Sequence, residues 1–189
     1  MIKILLSILL ISSVSLQAMQ KENITNDIKK MTKDLIKITL STDEEFQKRK
    51  EIEKIIKPLF NFKIVGKLSL GKRAWSKATK IQRQDYMKYF VISIKNFYIN
   101  KFSLYKNQEI TFLNITTNKK KLILHTIVMD NNIKNKFDYK MYKTKKNGWL
   151  VYDMNIAGIS IIKVFKAQYK DYLKNNSLDD LIKMLKSNA

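Results

Sequence analysis

The chain of 189 residues contains no cysteine, one proline, one histidine and four glycines. Each shortage excludes something. Without cysteine there is no disulfide, no thiol nucleophile, no thiolate metal site and no lipid anchor on sulfur. A lone His125 rules out a histidine-rich metal centre. Four scattered glycines make no phosphate-cradling loop. Acidic residues are also scarce, 16 against 37 basic ones, for a net charge of +21. Few of the basic residues are arginine and none stand in a long run, so the charge reads as a solvated surface, with anionic lipid surfaces a secondary attraction. No stretch is long enough to cross a membrane. Ile4–Ile11 is apolar but far short of the ~20 residues a span needs.

Residues 1–18 read as a secretory signal peptide. Lys3 supplies the positive start, ILLSILLI the apolar centre, and Ala18 the residue before cleavage. The remaining chain, 19–189, is one domain, large enough to bury a core without disulfides. Export without cysteine or a membrane span points to a bacterial periplasm and argues against a nucleic-acid partner.

The longest regular stretch is Thr79–Tyr105. Thr79 and Gln82 form a capping-box pair, and neither Gly nor Pro interrupts the residues after them. A helix of this length is roughly 40 Å long. Met87, Phe90, Val91, Ile94, Phe97 and Tyr98 recur at helical spacing, and Tyr86, Tyr89, Ile92, Ile99 and Phe102 widen the stripe. Such a helix is either a central core helix or the wall of an apolar pocket.

Two helices precede it. The first carries Ile24, Ile28, Met31, Leu35 and Ile38 on one face. The second is capped by Ser41 with Glu44, buries Phe46, Ile52, Ile55, Ile56 and Leu59, and ends at Pro58. Phe60–Gly71 is a further short helix closed by Gly71, and KRAWSKA leads from it to Thr79.

After Tyr105 the period changes to alternation. Glu109–Thr117, Lys120–Asp130, Asn135–Lys145 and Trp149–Ile156 read as four strands of an antiparallel meander. Asn147–Gly148 suits a type I′ turn. Phe137, Tyr139 and Met141 share one strand face. The second strand, LILHTIVM, is apolar on both faces and should be covered on both, or line a cavity on one. His125 within it reads as a partly buried histidine with a hydrogen-bond partner. Ser160 opens a helix with Ile161, Phe165, Tyr169 and Tyr172 on one face. Ser177 and Asp180 cap a last one carrying Leu178, Leu181, Ile182 and Leu185. The fold class is therefore α+β: a twisted sheet of about four strands packed on several helices, enclosing an apolar pocket.

Chemistry is sparse. Nothing marks a nucleophile near His125. The carboxylate pairs Glu44–Glu45 and Asp179–Asp180 stand at helix starts, where they complement the helix dipole. Only Asp85 or Asp153 could serve as a base in an apolar pocket. The chain reads as a non-enzyme without a cofactor or metal.

Three segments resemble the MlaC, or toluene-tolerance, family of periplasmic phospholipid-binding proteins. They are PLFNFKIVGKLSLGKRAWSKAT (Pro58–Thr79), IQRQDYMKYF…NFY (Ile81–Tyr98), and GWLVYDMNIAGISII with SLDDLIKML (Gly148–Ile162, Ser177–Leu185). The resemblance runs in order across roughly residues 24–187. It implies a monomeric carrier shuttling glycerophospholipid between an outer-membrane lipoprotein–porin complex and an inner-membrane ABC transporter complex with a lipid-binding ring subunit, maintaining outer-membrane lipid asymmetry. Bound phospholipid would be cargo, its chains inside and its headgroup near solvent. Arg83, Tyr98 and Ile159 match family lipid-site positions, with Arg83 at the mouth near a phosphate and Tyr98 and Ile159 facing acyl chains. Periodicity alone adds Phe90, Val91, Ile94, Phe137, Tyr139 and Met141 to the lipid-binding set. The alternative is a periplasmic interaction module whose hydrophobic groove takes a protein segment.

Overall fold

The computed structural model describes residues 19–102, 108–130, 132–145 and 148–188; the side chains of 98, 99, 101, 102 and 130 are also outside that description. The expected signal segment 1–18 therefore lies outside the described residues. Met19, the first described residue, is buried and accepts a hydrogen bond from the Trp149 amide at 3.0 Å.

Among the described residues seven helices and one sheet alternate as the sequence implies, with three additions. A 3-10 turn (Lys21–Asn23) precedes α1 (Ile24–Thr39), and α2 (Glu45–Ile56) comes next. After α3 (Phe62–Leu70), Gly71 turns the chain at φ +83° into a short helix, α4 (Lys72–Lys77), where the sequence suggested only a connection. Then comes α5 (Lys80–Phe102). The strands β1 (Glu109–Asn118), β2 (Lys121–Asp130), β3 (Ile133–Lys143) and β4 (Trp149–Ile156) are joined by a short fifth, β5 (Ile159–Ser160). The helices α6 (Ile161–Tyr172) and α7 (Leu178–Ser187) end the chain. The sheet runs β1-β2-β3-β4-β5, every neighbour antiparallel, as consecutive hairpins dictate.

Two of the expected capping boxes hold. Thr79 and Gln82 exchange side-chain and backbone bonds at 3.1 and 3.0 Å, and Ser177 and Asp180 do the same ahead of α7. The box at Ser41 does not form. Its hydroxyl donates back to the Ile38 carbonyl at 2.9 Å and to Asp43, ending α1 instead, while Glu44 stands at the start of α2. Phe46 also departs from expectation and is 77% exposed. At ~100° per residue it points well away from Ile52 and Ile56, which are buried. Gly148 has the positive φ of a hairpin turn, +57°, while its partner Asn147 lies outside the described residues.

Pairing fixes which side chains share a face. Leu122, Leu124 and Thr126 stand opposite Met141, Tyr139 and Phe137, and Val151, Met154 and Ile156 continue the row on β4. Helices cover this face. Lys29 of α1 lies over the Phe112 ring, and Thr32 approaches the Tyr139 hydroxyl. The other face of β2, expected to be covered or to line a cavity, carries Ile123, Ile127 and Met129 half-buried. A single helical layer covers one side, and no second layer exists among the described residues. His125 sits on that outer face between the Thr116 hydroxyl at 3.0 Å and the Asp138 carboxylate at 2.7 Å. It is the partnered, partly buried histidine that the sequence suggested.

The sheet joins the helices through Asp153. Its carboxylate accepts from the Ser160 hydroxyl at 2.8 Å, the Ile162 amide at 3.2 Å and Lys140 at 3.2 Å. It thus tethers the start of α6 to β4. Ser160 itself accepts from the Lys163 amide as the N-cap of α6.

At the centre, Tyr86, Phe90 and Ile94 of α5 are fully buried. The Tyr86 hydroxyl donates to the Gly66 carbonyl at 3.1 Å, and α3 approaches so closely that a Cβ on Gly66 would lie 2.7 Å from Met87 Sδ and 3.0 Å from Phe90 Cδ1. Gly66→Val is expected to lower stability by about 1–3 kcal/mol through overpacking, read as a fall in thermal midpoint. Burial pushes the Tyr139 phenol up to about 12 and raises those of Tyr86 and Tyr169 as well. Above pH 10 an unfolded chain releases phenolic protons that the folded chain keeps, so stability falls as pH rises from 10 through 12. Denaturant midpoints at about pH 9 and about pH 11.5 should show this loss. Tyr139→Phe should remove a share on the order of 2 kcal/mol of it.

Candidate functional site

The helices α5 and α6 run antiparallel, locked by aromatic rings. Tyr86 and Phe90 stack at 5.4 Å, and Tyr169 meets their edges at 6.2 and 6.4 Å. One turn nearer the start of α6, Phe165 meets Phe90 at 6.1 Å and Phe97 at 5.6 Å. The far half of α5 is thereby brought to the start of α6, beside β5.

The inner face of the sheet belongs to the same buried core as this seam, with α6 and α3 packed on β4, and its cover is graded. Met141, Leu122, Leu124 and Val151 are sealed, and Tyr139 nearly so. Further along, Phe112, Phe137 and Ile156 are half-buried. The register makes this a continuous apolar edge. Phe112 pairs with Thr126, Thr126 with Phe137, Phe137 with Ile156 and Ile156 with Ile159. Ile159 is 60% exposed, and Val164 of α6 is exposed nearby. The apolar seam is therefore closed at the Met141 end and reaches solvent at the Ile159 end.

The expected lipid-binding residues divide into four groups. Phe90, Ile94, Tyr139 and Met141 are buried in the common core, Phe90 within the seam itself, and Val91 is half-buried. Phe137 and Ile159 stand on its open edge. Tyr98 belongs to the last turns of α5, with its side chain outside the described residues. Arg83 is placed elsewhere. It lies near the start of α5, ~22 Å along the helix from Tyr98. Its Nε donates to the Trp75 carbonyl at 3.0 Å and a terminal nitrogen to the Ser76 carbonyl at 3.2 Å, with the guanidinium over the Trp75 ring. Two backbone carbonyls at the end of α4 thus hold its fork, and it joins α4 to α5.

Phe112, Phe165 and Ile156 stand beside the expected residues although the sequence reading did not include them in the candidate set. Helical spacing marked Phe165 as inward-facing, but only the strand register and the antiparallel seam bring all three to one edge. The two carboxylates considered as bases divide as well. Asp85 is exposed, and Asp153 is buried but occupied by the three donors that hold α6. Among the described residues there is no group of three or more His, Asp or Glu side chains placed to hold a metal ion, and no helix long and apolar enough to cross a membrane.

This arrangement of sheet and helices has a counterpart among solved structures. The phospholipid-binding protein from Ralstonia solanacearum, solved in complex with a phospholipid, superposes with a TM-score of 0.73 at 24% identity, over 86% of this chain and 94% of that one. The likeness shows a common fold. No curated protein matches the chain. The family profile described as MlaC protein matches residues 28–187, from α1 to the end of α7. The chain belongs to the MlaC protein family.

Proposed function

We propose that this protein is an exported phospholipid carrier, holding acyl chains between the α5–α6 aromatic seam and the inner face of the sheet. The observation that carries the reading is the graded apolar seam, sealed at Met141 and open at Ile159. Its fold counterpart from Ralstonia solanacearum holds a phospholipid, which supports the same ligand class here.

The physical need is large. Each exposed CH₂ of an acyl chain costs ~0.8 kcal/mol in water, so two chains of about 15 carbons cost on the order of 24 kcal/mol. A soluble carrier must cover most of that surface. Each chain spans ~15 Å, half of a ~30 Å bilayer core, and α5 is longer than that. Phe90, Val91, Ile94, Tyr139 and Met141 would line the interior, and Phe137, Tyr98 and Ile159 the entrance. Opening the seam means parting half-covered apolar groups at one end while the Asp153 tether keeps α6 on the sheet. Arg83 holds α4 in this reading and does not meet the headgroup. No energy source is built into the chain, so a complex at each membrane would load and unload it. Those partners are an inner-membrane ABC transporter complex with a lipid-binding ring and an outer-membrane lipoprotein–porin complex.

Organic extraction and mass spectrometry of the protein purified from a bacterial periplasm should yield close to one phospholipid per chain. Ile159→Asp places a charge where an acyl chain must pass, at a position already exposed, so the fold survives. Burying a carboxylate against a chain costs roughly 1–3 kcal/mol or more, which predicts about a tenfold lower lipid occupancy. A folded, lipid-free protein that takes up no phospholipid from vesicles would instead favour a protein guest in the seam.

A further inference from the structure

A cleft of about 810 Å³ opens at the end of the molecule away from Ile159, between the α3–α4 turn, the end of α6 and the start of α7. Its floor is apolar: Leu70 and Ala78 are buried, and Leu173 and Leu178 are half-covered. Around that floor stand Lys72, Arg73, Lys77, Lys166, Lys170 and Lys174, and no carboxylate lines the cleft. A chain of +21 has many unpaired lysines, and scattered over a surface they would need no explanation. These converge on one concavity. Lys174 is paired with Asp171 at 2.7 Å, but among the described residues Lys72, Arg73, Lys77, Lys166 and Lys170 have no carboxylate partner.

The nearby acids are already engaged. Asp179 accepts from the Gln82 amide at 3.1 Å, and Asp180 is held in the α7 capping box. Lys166, Lys170 and Lys174 recur every four residues along and just past α6, a like-charge spacing that opposes the helix. The turn at Gly71 accommodates the first of them. A Cβ on Gly71 would lie 3.4 Å from Lys166 Cε, so the lysine stem runs over bare backbone.

A concave apolar floor ringed by uncompensated cations matches an anionic amphiphile. Its volume falls within the roughly 300–1,000 Å³ of small-molecule sites. We propose that this cleft is a second binding site, taking a single-chain amphiphile with a phosphate monoester head. The head would lie among Arg73, Lys166 and Lys170, and the first carbons of the chain would lie on Leu70, Ala78 and Leu173. The arginine fork and paired lysines suit phosphate oxygens. The site is separate from the seam at Ile159 and does not depend on the carrier reading.

The probe is dodecyl phosphate below its micelle concentration, with dodecyl maltoside and inorganic phosphate as controls. Calorimetry gives affinity, and amide chemical shifts in the purified protein give location. The expected result is shifts at Gly71, Lys166, Lys170 and Leu173, with binding at least tenfold tighter than either control. Both K166E/K170E and the milder K166Q/K170Q should weaken it at least tenfold while leaving circular dichroism and co-purified phospholipid unchanged. Equal binding of inorganic phosphate would overturn the amphiphile, and equal binding of the maltoside would overturn the charged head. Shifts centred on Phe137 and Ile156, or unchanged affinity in both double variants, would overturn the site. A parallel loss of co-purified phospholipid would overturn its separateness. Failure of Ile159→Asp to alter phospholipid loading would count only against the seam.

Discussion

The aromatic seam between α5 and α6 is the contact on which the other elements depend. Phe90 touches Tyr86, Phe165 and Tyr169, and all four rings come from two helices that are distant in sequence. Edge-to-face pairs of this kind contribute about 0.5–1.5 kcal/mol each beyond the area they bury. The greater consequence is directional. The seam sets α5 and α6 antiparallel, and α6 is in turn fastened to β4 by Asp153. Through α6 the position of α5 is therefore fixed relative to the sheet. The close approach of α3 at Gly66 and the Tyr86 hydroxyl bond complete the fixed end.

From that constraint comes the asymmetry between the two ends of the molecule. Near Tyr86 and Met141 the side chains are sealed, the Tyr86 hydroxyl is bonded, and nothing is free to part. Near Phe97, Ile156 and Ile159 the same apolar layers continue with less cover. In the proposed carrier reading, a seam tight at one end and half-covered at the other would admit a flexible apolar guest by separating dispersion contacts. The buried Lys140–Asp153 pair beside this region belongs to the tether of α6. Pairs such as Lys30–Asp34 and Lys54–Glu51 lie on the surface, where they contribute little. Lys95 reaches from α5 to Glu53 of α2 over the Phe62 ring, a rim contact that fastens a peripheral helix.

Much of this was legible in the residues, element by element. The capping pairs Thr79–Gln82 and Ser177–Asp180, the positive-φ glycine after α3 and the alternation in four strands each have a local physical cause. The missed features lack one. Ser41 had the spacing of a capping box, but its hydroxyl found a nearer acceptor at the end of α1. The two residues of β5 are too few to show alternation and exist because β4 offers them a partner. The second strand is apolar on both faces, yet only packing could show that one face would be left half-open. The bonds of Arg83 to the Trp75 and Ser76 carbonyls arise from the turn between α4 and α5, which no local pattern shows.

By itself the sequence determined the class of the fold, the run of helices and hairpins, and the lack of any thiol and of a glycine-rich phosphate loop. These depend on residue type and on spacing within a dozen residues. Tertiary structure decided which apolar residues meet, which end of the seam stays open, and which lysines converge on one cleft. Those outcomes depend on the relative placement of α5, α6 and the sheet. Apolar attraction is non-directional, so a hydrophobic pattern shows that a face will be buried and leaves its partner to packing.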